Sequence, residues 1–391
     1  MNDIARIART EQVKQAIKFL KDNLSKSLEL AVEIQQIPAP TFHEAQRADF
    51  IQTHFSDLGL LDVHQDDLHN VFGRYTGTNP DLLPVIVSAH IDTVFSQNTD
   101  LAISRTTDQG RPLIFGPGLA DNSMGVAGIL QVANALRQYD LRPLADIWFV
   151  SNVAEEGLGD LKGMRSVVER FGRTTAYIVV EGGSYGHIFH GAIGVRRFQV
   201  TFKTDGGHSW GNFGSPNAIH VLGRFIAALD DLVVPRKPKT TYNVGVIEGG
   251  TTINSIASEA SLLLDLRSAG SAELGDLVAH VEKLAAELNR LSGVRVDMEQ
   301  IGNRPAGEIS AESPLIVWAV QALQEVGCRS YALLSGSTDA NIPISQGYPA
   351  VCIGLANAGN THRTDEYLDP THLADGLTQL LLLTVAAAGH Q

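Results

Sequence analysis

Three short, mainly apolar runs, at 83–89, 145–152 and 176–181, constrain the fold of this chain more than any other feature. None alternates in the manner of a half-exposed strand, so each reads as a strand buried on both faces. The segments around them carry apolar residues at helical spacing. Residues 124–139 form one such segment, Ile17, Leu20, Leu24, Leu28 and Val32 mark one or two helices over 13–36, and 42–58 repeats the pattern. Buried strands joined by helices of this length need crossover connections, and these imply an α/β fold with a mainly parallel sheet.

The middle of the chain breaks that rhythm. Residues 195–203 alternate, and 258–267 places Leu262, Leu264 and Leu266 on one side. Alternation of this kind suits antiparallel strands with one solvated face. With helical stretches at 215–232 and 272–291, residues 195–308 read as a smaller α+β insert within a discontinuous domain of 1–194 and 309–391. After Pro314 the first rhythm returns, with a strand at 350–353 and a last helix beyond Pro370. A length of 391 residues suits two domains of roughly 100–200 residues each. Ser215, followed by Pro216, reads as a helix cap, and Asp339 as a candidate cap for the helix after it.

Charge and composition narrow the function. A formal net charge of −13 excludes the basic footprint that nucleic-acid binding needs. No apolar stretch reaches the ~20 residues of a membrane span, and MNDIARIARTEQVKQ at the N-terminus has no signal-peptide core. A cytoplasmic protein without a membrane partner is therefore expected. The two cysteines, Cys328 and Cys352, make neither a disulfide framework nor a metal-type spacing.

The chemistry gathers where the apolar runs end. His90 and Asp92 close the first, Glu155 and Glu156 follow the second, Glu181 ends the third, and Asp121 and His362 join them from elsewhere. In doubly wound sheets, ligands bind outside the carboxyl ends of the strands. Crowded carboxylates raise one another's pKa unless cations neutralise them, and an oxygen- and imidazole-rich set suits zinc, cobalt or manganese. Two divalent ions bridged by one carboxylate would meet that need. The period-two spacing of His90 and Asp92 points both to one face, so that Asp92 fixes the His90 tautomer. Gly116-Pro117-Gly118-Leu119-Ala120-Asp121 fails as a dinucleotide loop because Asp121 replaces the last glycine.

These residues lie within five ordered motifs: SAHIDTV (88–94), GPGLADNSMG (116–125), VAEEGLGD (153–160), VVEGG (179–183) and NTHRTDEYLD (360–369). On them the chain resembles the dinuclear zinc family of aminoacylase, acetylornithine deacetylase, succinyl-diaminopimelate desuccinylase, glutamate carboxypeptidase and tripeptide aminopeptidase. The resemblance implies a zinc-peptidase catalytic domain interrupted by a lid and dimerisation domain. It implies that Asp121 bridges two ions, with His90 and Glu181 completing one site and Glu156 and His362 the other. Glu155 becomes the implied general base, acting on a water between the ions. The segment at 206–219 resembles the one whose histidine reaches the partner subunit's active site, here His208, which implies a homodimer. The stretch 244–268 resembles the hairpin that offers an asparagine and an arginine, here Asn254 and Arg267, to a substrate carboxylate; a guanidinium fork suits that group.

Two cues on substrate conflict. SGSTDANIP (335–343) is similar to the aminopeptidase branch, whereas a glutamate at 181 is commoner among deacylases and carboxypeptidases. After Asp121 the chain has Asn122-Ser123-Met124-Gly125 where many members have aspartate-lysine-glycine. The implied activity is metal-dependent hydrolysis of an amide bond in a short peptide or N-acyl amino acid. The alternative is a catalytically inactive binding protein on the same scaffold.

Overall fold

The computed structural model describes residues 3–389. The chain separates into two compact units. One joins the residues up to Gly191 with those from Glu308 onward, and the other is Ala192–Gly307.

The first unit is built on a mixed sheet in which Leu61–Gln65, Val71–Tyr75, Ile147–Asn152, Val85–His90, Ala176–Tyr185, Ala350–Gly354 and His187–Ala192 lie side by side in that order. The four central strands are parallel, and those flanking them run antiparallel. Val85–His90 is buried along its whole length, which accounts for its mainly apolar run. The helices Met124–Gln138 and Leu373–Ala388 pack against the sheet. Both are apolar on nearly every side and buried for most of their length, the pattern of a helix enclosed by its own core.

A smaller antiparallel sheet of Ser104–Asp108, Arg111–Phe115, Tyr367–Asp369 and Asn357–Gly359 has no counterpart in the sequence reading. Its strands are short, and Ser104–Asp108 is exposed throughout, so no apolar period marks them. The sheet matters to the site because it brings the 357–369 segment beside Gly116, whose amide donates to the carbonyl of Glu366 at 2.9 Å.

The second unit is a four-stranded antiparallel sheet, Thr240–Gly249, Glu259–Ser268, Gly194–Lys203 and Arg295–Arg304. Phe198, Val200, Phe202, Leu262, Leu264 and Leu266 are buried in a core shared with the helices Ala218–Asp230 and Ser271–Asn289. One expectation is corrected here. The cap of Ala218–Asp230 is Asn217, whose side chain accepts the Ile219 amide at 2.9 Å, and not Ser215. Ser215 is held in the preceding turn through its amide on Asn212 O, while Asn217 takes the extended backbone from which a short side chain reaches the N–H two residues on. Among the described residues no helix is long and apolar enough to cross a membrane.

Candidate metal centre

His90 is the last residue of the strand Val85–His90 and is almost fully buried. Its Nδ1 lies 3.1 Å from the main-chain carbonyl of Asp92. A carbonyl only accepts, so Nδ1 carries the proton and Nε2 presents a lone pair when the ring is neutral. That Nε2 faces Asp121 Oδ1 at 3.2 Å and Glu181 Oε2 at 3.7 Å. Asp92 thus sets the tautomer through its backbone; its carboxylate stands farther off, at 3.6 Å. The carboxylate instead accepts the amides of Glu155 and Glu156, both at 2.9 Å, and the Thr41 hydroxyl at 2.9 Å. Asp92 is therefore the joint between the His90 turn and the Glu155–Glu156 turn.

Asp121 divides its oxygens between two imidazoles. Oδ1 faces His90, and Oδ2 lies 3.1 Å from Nε2 of His362. The same His362 nitrogen is 3.1 Å from Glu156 Oε1. His90, Asp121 and Glu156 each place a donor atom within 4.8 Å of the others.

Several buried contacts hold these groups, and sequence reasoning missed most of them. Glu366, four residues after His362, is fully buried and accepts the amides of Ala120 at 2.8 Å and Asp121 at 3.1 Å. Asn122 straddles Glu181, donating to Val180 O and accepting the Gly182 amide, both at 2.8 Å. The asparagine that replaces the family's more frequent aspartate thus has a defined task. Gly182 permits this approach, since a Cβ there would stand 2.3 Å from Ala120 O. Gly118 turns the chain at φ 71°, a conformation glycine adopts without penalty. Asn152 donates to the buried Asp339 carboxyl at 2.6 Å. Asp339 was a candidate helix cap; its side chain is turned instead to this interior contact, and the following helix, Asn341–Ser345, has no side-chain cap.

The electrostatics of the cluster follow from its burial and its crowding of carboxylates around two imidazoles. Burial pushes Glu156 and Glu181 up to about 7, against the pull of His362 and His90 respectively. The charges of Asp121 and Glu155 push both the same way. Hydrogen bonds to Asp121 and Glu156 carry His362 to about 10. Burial opposes the charge on His90, but Asp121, Asp92 and Glu181 outweigh it and hold the ring well above its ordinary value. Asp121 is buried too, yet the two histidines keep it below the usual carboxylate range.

Protons are poor occupants of this arrangement. One N–H on His362 Nε2 satisfies one of the two oxygens facing it, and one N–H on a protonated His90 Nε2 does the same for Asp121 and Glu181. Divalent cations held among these atoms would draw on all of them together. Carboxylate oxygens and imidazole nitrogens, without sulfur, form a donor set suited to divalent zinc, manganese or cobalt. The residues therefore fit a metal centre. His90 Nε2 faces Asp121 Oδ1 and Glu181 Oε2, and His362 Nε2 faces Asp121 Oδ2 and Glu156 Oε1.

The remaining candidates lie in the second unit. His208 is exposed in the short strand Gly207–His208, which pairs with Ser255–Ile256. Its Nδ1 accepts the amides of Trp210 and Gly211 at 3.2 and 3.3 Å, so the neutral ring carries its proton on Nε2. Asn254 lies beside it, its carbonyl accepting the Ser209 amide at 2.9 Å. Arg267 lies on the strand Glu259–Ser268, with Nε 2.6 Å from Asp265 Oδ2.

The model of Peptidase family M20/M25/M40 matches residues 86–385. Carboxypeptidase G2 of Pseudomonas sp. (strain RS-16) is 24% identical over 365 residues, covering 88% of this chain and 84% of its own. The uncharacterised protein YqjE of Bacillus subtilis (strain 168) is 25% identical over 350 residues, covering 85% and 91%. A tripeptidase from Staphylococcus aureus superposes with a TM-score of 0.78 at 20% identity, covering 93% of this chain and 98% of that one; at that identity the likeness speaks for the fold.

Proposed function

The chain belongs to Peptidase family M20/M25/M40, and from that premise we propose that it hydrolyses an amide bond in a short peptide or an N-acyl amino acid, with two zinc ions per chain. The observation that carries the two-ion reading is the division of Asp121 between His90 and His362. A carboxylate whose two oxygens face two different imidazoles could be shared by two ions. Cobalt and manganese are alternative occupants of the same donor set.

His90 and Glu181 would hold one ion, Glu156 and His362 the other, and Asp121 both. When bound, such ions acidify water and polarise a carbonyl. The chain's own residues supply the rest. Glu155 takes the proton of the attacking water and delivers it to the leaving amine, a transfer typically worth 10²–10⁴ in rate. Asp92 keeps the His90 lone pair turned inward and fixes the amide of Glu155. The partner subunit's His208, with its proton on Nε2, donates to the developing oxyanion, so the working form is a homodimer.

Substrate polarity follows the groups offered to its termini. Asn254 and Arg267 are the proposed carboxylate contacts. Arg267 already engages Asp265, so a substrate carboxylate has to compete for its fork. Free dipeptides, N-acetyl amino acids, and tripeptides with and without C-terminal amidation, assayed for amine release, test this reading. Cleavage that needs a free carboxylate but tolerates a blocked amine makes the enzyme a carboxypeptidase or deacylase. Cleavage that needs a free amine and ignores amidation makes it an aminopeptidase.

A further inference from the structure

A short segment outside the proposed ligand set makes contact with both turns that carry it. Thr41 donates to Asp92, Glu44 accepts from Ala154, and Arg47 donates to Ile91. Glu44 directly precedes the helix Ala45–Asp57 and its side chain does not cap that helix. It is 3% exposed, and its Oε1 accepts the Ala154 amide at 3.2 Å. Ala154 stands immediately before Glu155 and has φ 54°, a left-handed conformation that costs energy in any residue with a Cβ. Such a residue persists only where its surroundings over-determine it. Here the bonds that do so are the Ala154 amide on Glu44 and the next two amides on Asp92.

Arg47 completes the arrangement from the same helix. It is 2% exposed, with Nη1 donating to Ile91 O at 2.8 Å and Nε to Ile37 O at 2.9 Å. Ile91 lies between His90 and Asp92. One helical turn, bearing a buried acid and a buried base, therefore grips the backbone of one ligand turn beside His90 and of the other beside Glu155.

We propose that Glu44, supported by Arg47, is a positioning residue for the hydrolytic reaction, holding Ala154 left-handed so that Glu155 and Glu156 are aimed at the metal centre. This rests on the assignment of Glu155 as base and Glu156 as ligand. Glu44 acts only as an acceptor, so glutamine replaces it and methionine, of similar volume, does not. Glycine at 154 adopts the left-handed conformation without penalty and relieves the need for Glu44.

The test uses the full chain loaded with Co²⁺, reading the visible absorption of the bound metal as well as kcat and KM. Glu44→Met should lower kcat at least tenfold, leave KM within about twofold, and shift the Co²⁺ bands, because Glu156 moves with the turn. Glu44→Gln should keep both the rate and the spectrum. In an Ala154→Gly background the loss caused by Glu44→Met should shrink. An unchanged spectrum and kcat in Glu44→Met, equal losses in Met and Gln, or a full loss in the Ala154→Gly background would each overturn the proposal. Should Glu44→Met not fold, Glu44→Gln decides: retention supports the proposal and loss overturns it. Wild-type protein that binds Co²⁺ but cleaves no amide contradicts the hydrolase reading, while the spectral comparison still decides whether Glu44 aims the turn.

Discussion

His362 and Asp121 are 241 residues apart in the sequence, yet Nε2 of the first lies 3.1 Å from Oδ2 of the second. The small sheet formed by 104–108, 111–115, 357–359 and 367–369 closes that gap. Glu366 anchors it by accepting the Ala120 and Asp121 amides. Because the other oxygen of Asp121 faces His90, the two halves of the centre are joined through one side chain.

Asp121→Ala should therefore weaken both ions together. Loss of partners outside the ligand set typically costs 10–100-fold in metal affinity, and loss of a shared ligand should cost at least ~100-fold at each site. Zinc titration against a competing chelator measures this. Loss of one ion with the other held at wild-type affinity would contradict the bridging role.

Glu155→Gln should lower kcat by roughly 10²–10⁴, the span of general acid–base catalysis. The zinc content should stay at the wild-type value by elemental analysis, because Glu155 is not among the proposed ligands. A variant that loses metal in proportion to activity would move Glu155 into the ligand set.

His208→Ala should leave metal content unchanged and lower kcat by roughly 10²–10³, as loss of an oxyanion donor does. Mixed with Glu155→Gln under conditions that exchange subunits, it should regain activity, since a mixed dimer contains one site with both residues intact. Light scattering should find a dimer. A fully active monomer would remove the cross-subunit role.

Away from the metal centre, Asp265 lies between Arg197 at 3.0 Å and Arg267 at 2.6 Å. Burial works to raise its pKa, but the two guanidinium groups outweigh it and hold the carboxyl below the usual range. A group whose folded pKa is depressed contributes stability above its unfolded value, about 3.9 for aspartate, and loses that contribution as pH falls through the folded value. Asp265→Asn should therefore destabilise the protein by about 1 kcal/mol at pH 7, a figure moderated by solvent screening of the partly exposed pair. The difference from wild type should fade below about pH 4. Denaturant melts across pH 3–7 measure it, and a constant difference over that range would contradict the assignment.

The parts of this molecule that follow a local rule were legible in the sequence. The apolar runs became the central strands because a strand buried on both faces has no polar positions to alternate with. His90, Glu156 and Glu181 were visible because they close or follow those runs. His90 ends its strand, Glu156 follows four residues after Asn152, and Glu181 lies inside the strand Ala176–Tyr185, which runs on past the apolar run that marked it. Asp121 and His362 were visible because their motifs were. The supports were not legible, since each acts across the fold. Glu366 reaches residues 245 and 246 positions away, Asp339 meets Asn152 across 187, and Glu44 meets Ala154 across 110. Asp92 shows the same limit at close range. Its spacing from His90 implied contact through the side chain; the carboxylate lies 3.6 Å from Nδ1, but the backbone carbonyl is nearer at 3.1 Å and the carboxylate also holds the Glu155–Glu156 turn.

The most direct test of a metal-dependent amide hydrolase is amine release from N-acetyl amino acids, dipeptides and tripeptides, by protein stripped with a chelator and then restored with zinc. The metal-dependent hydrolase reading predicts no release from the stripped protein and recovery as zinc is added, complete near two equivalents per chain. Two equivalents of zinc bound tightly with no amine released from any of these substrates would contradict it, and would leave a binding protein on a peptidase scaffold.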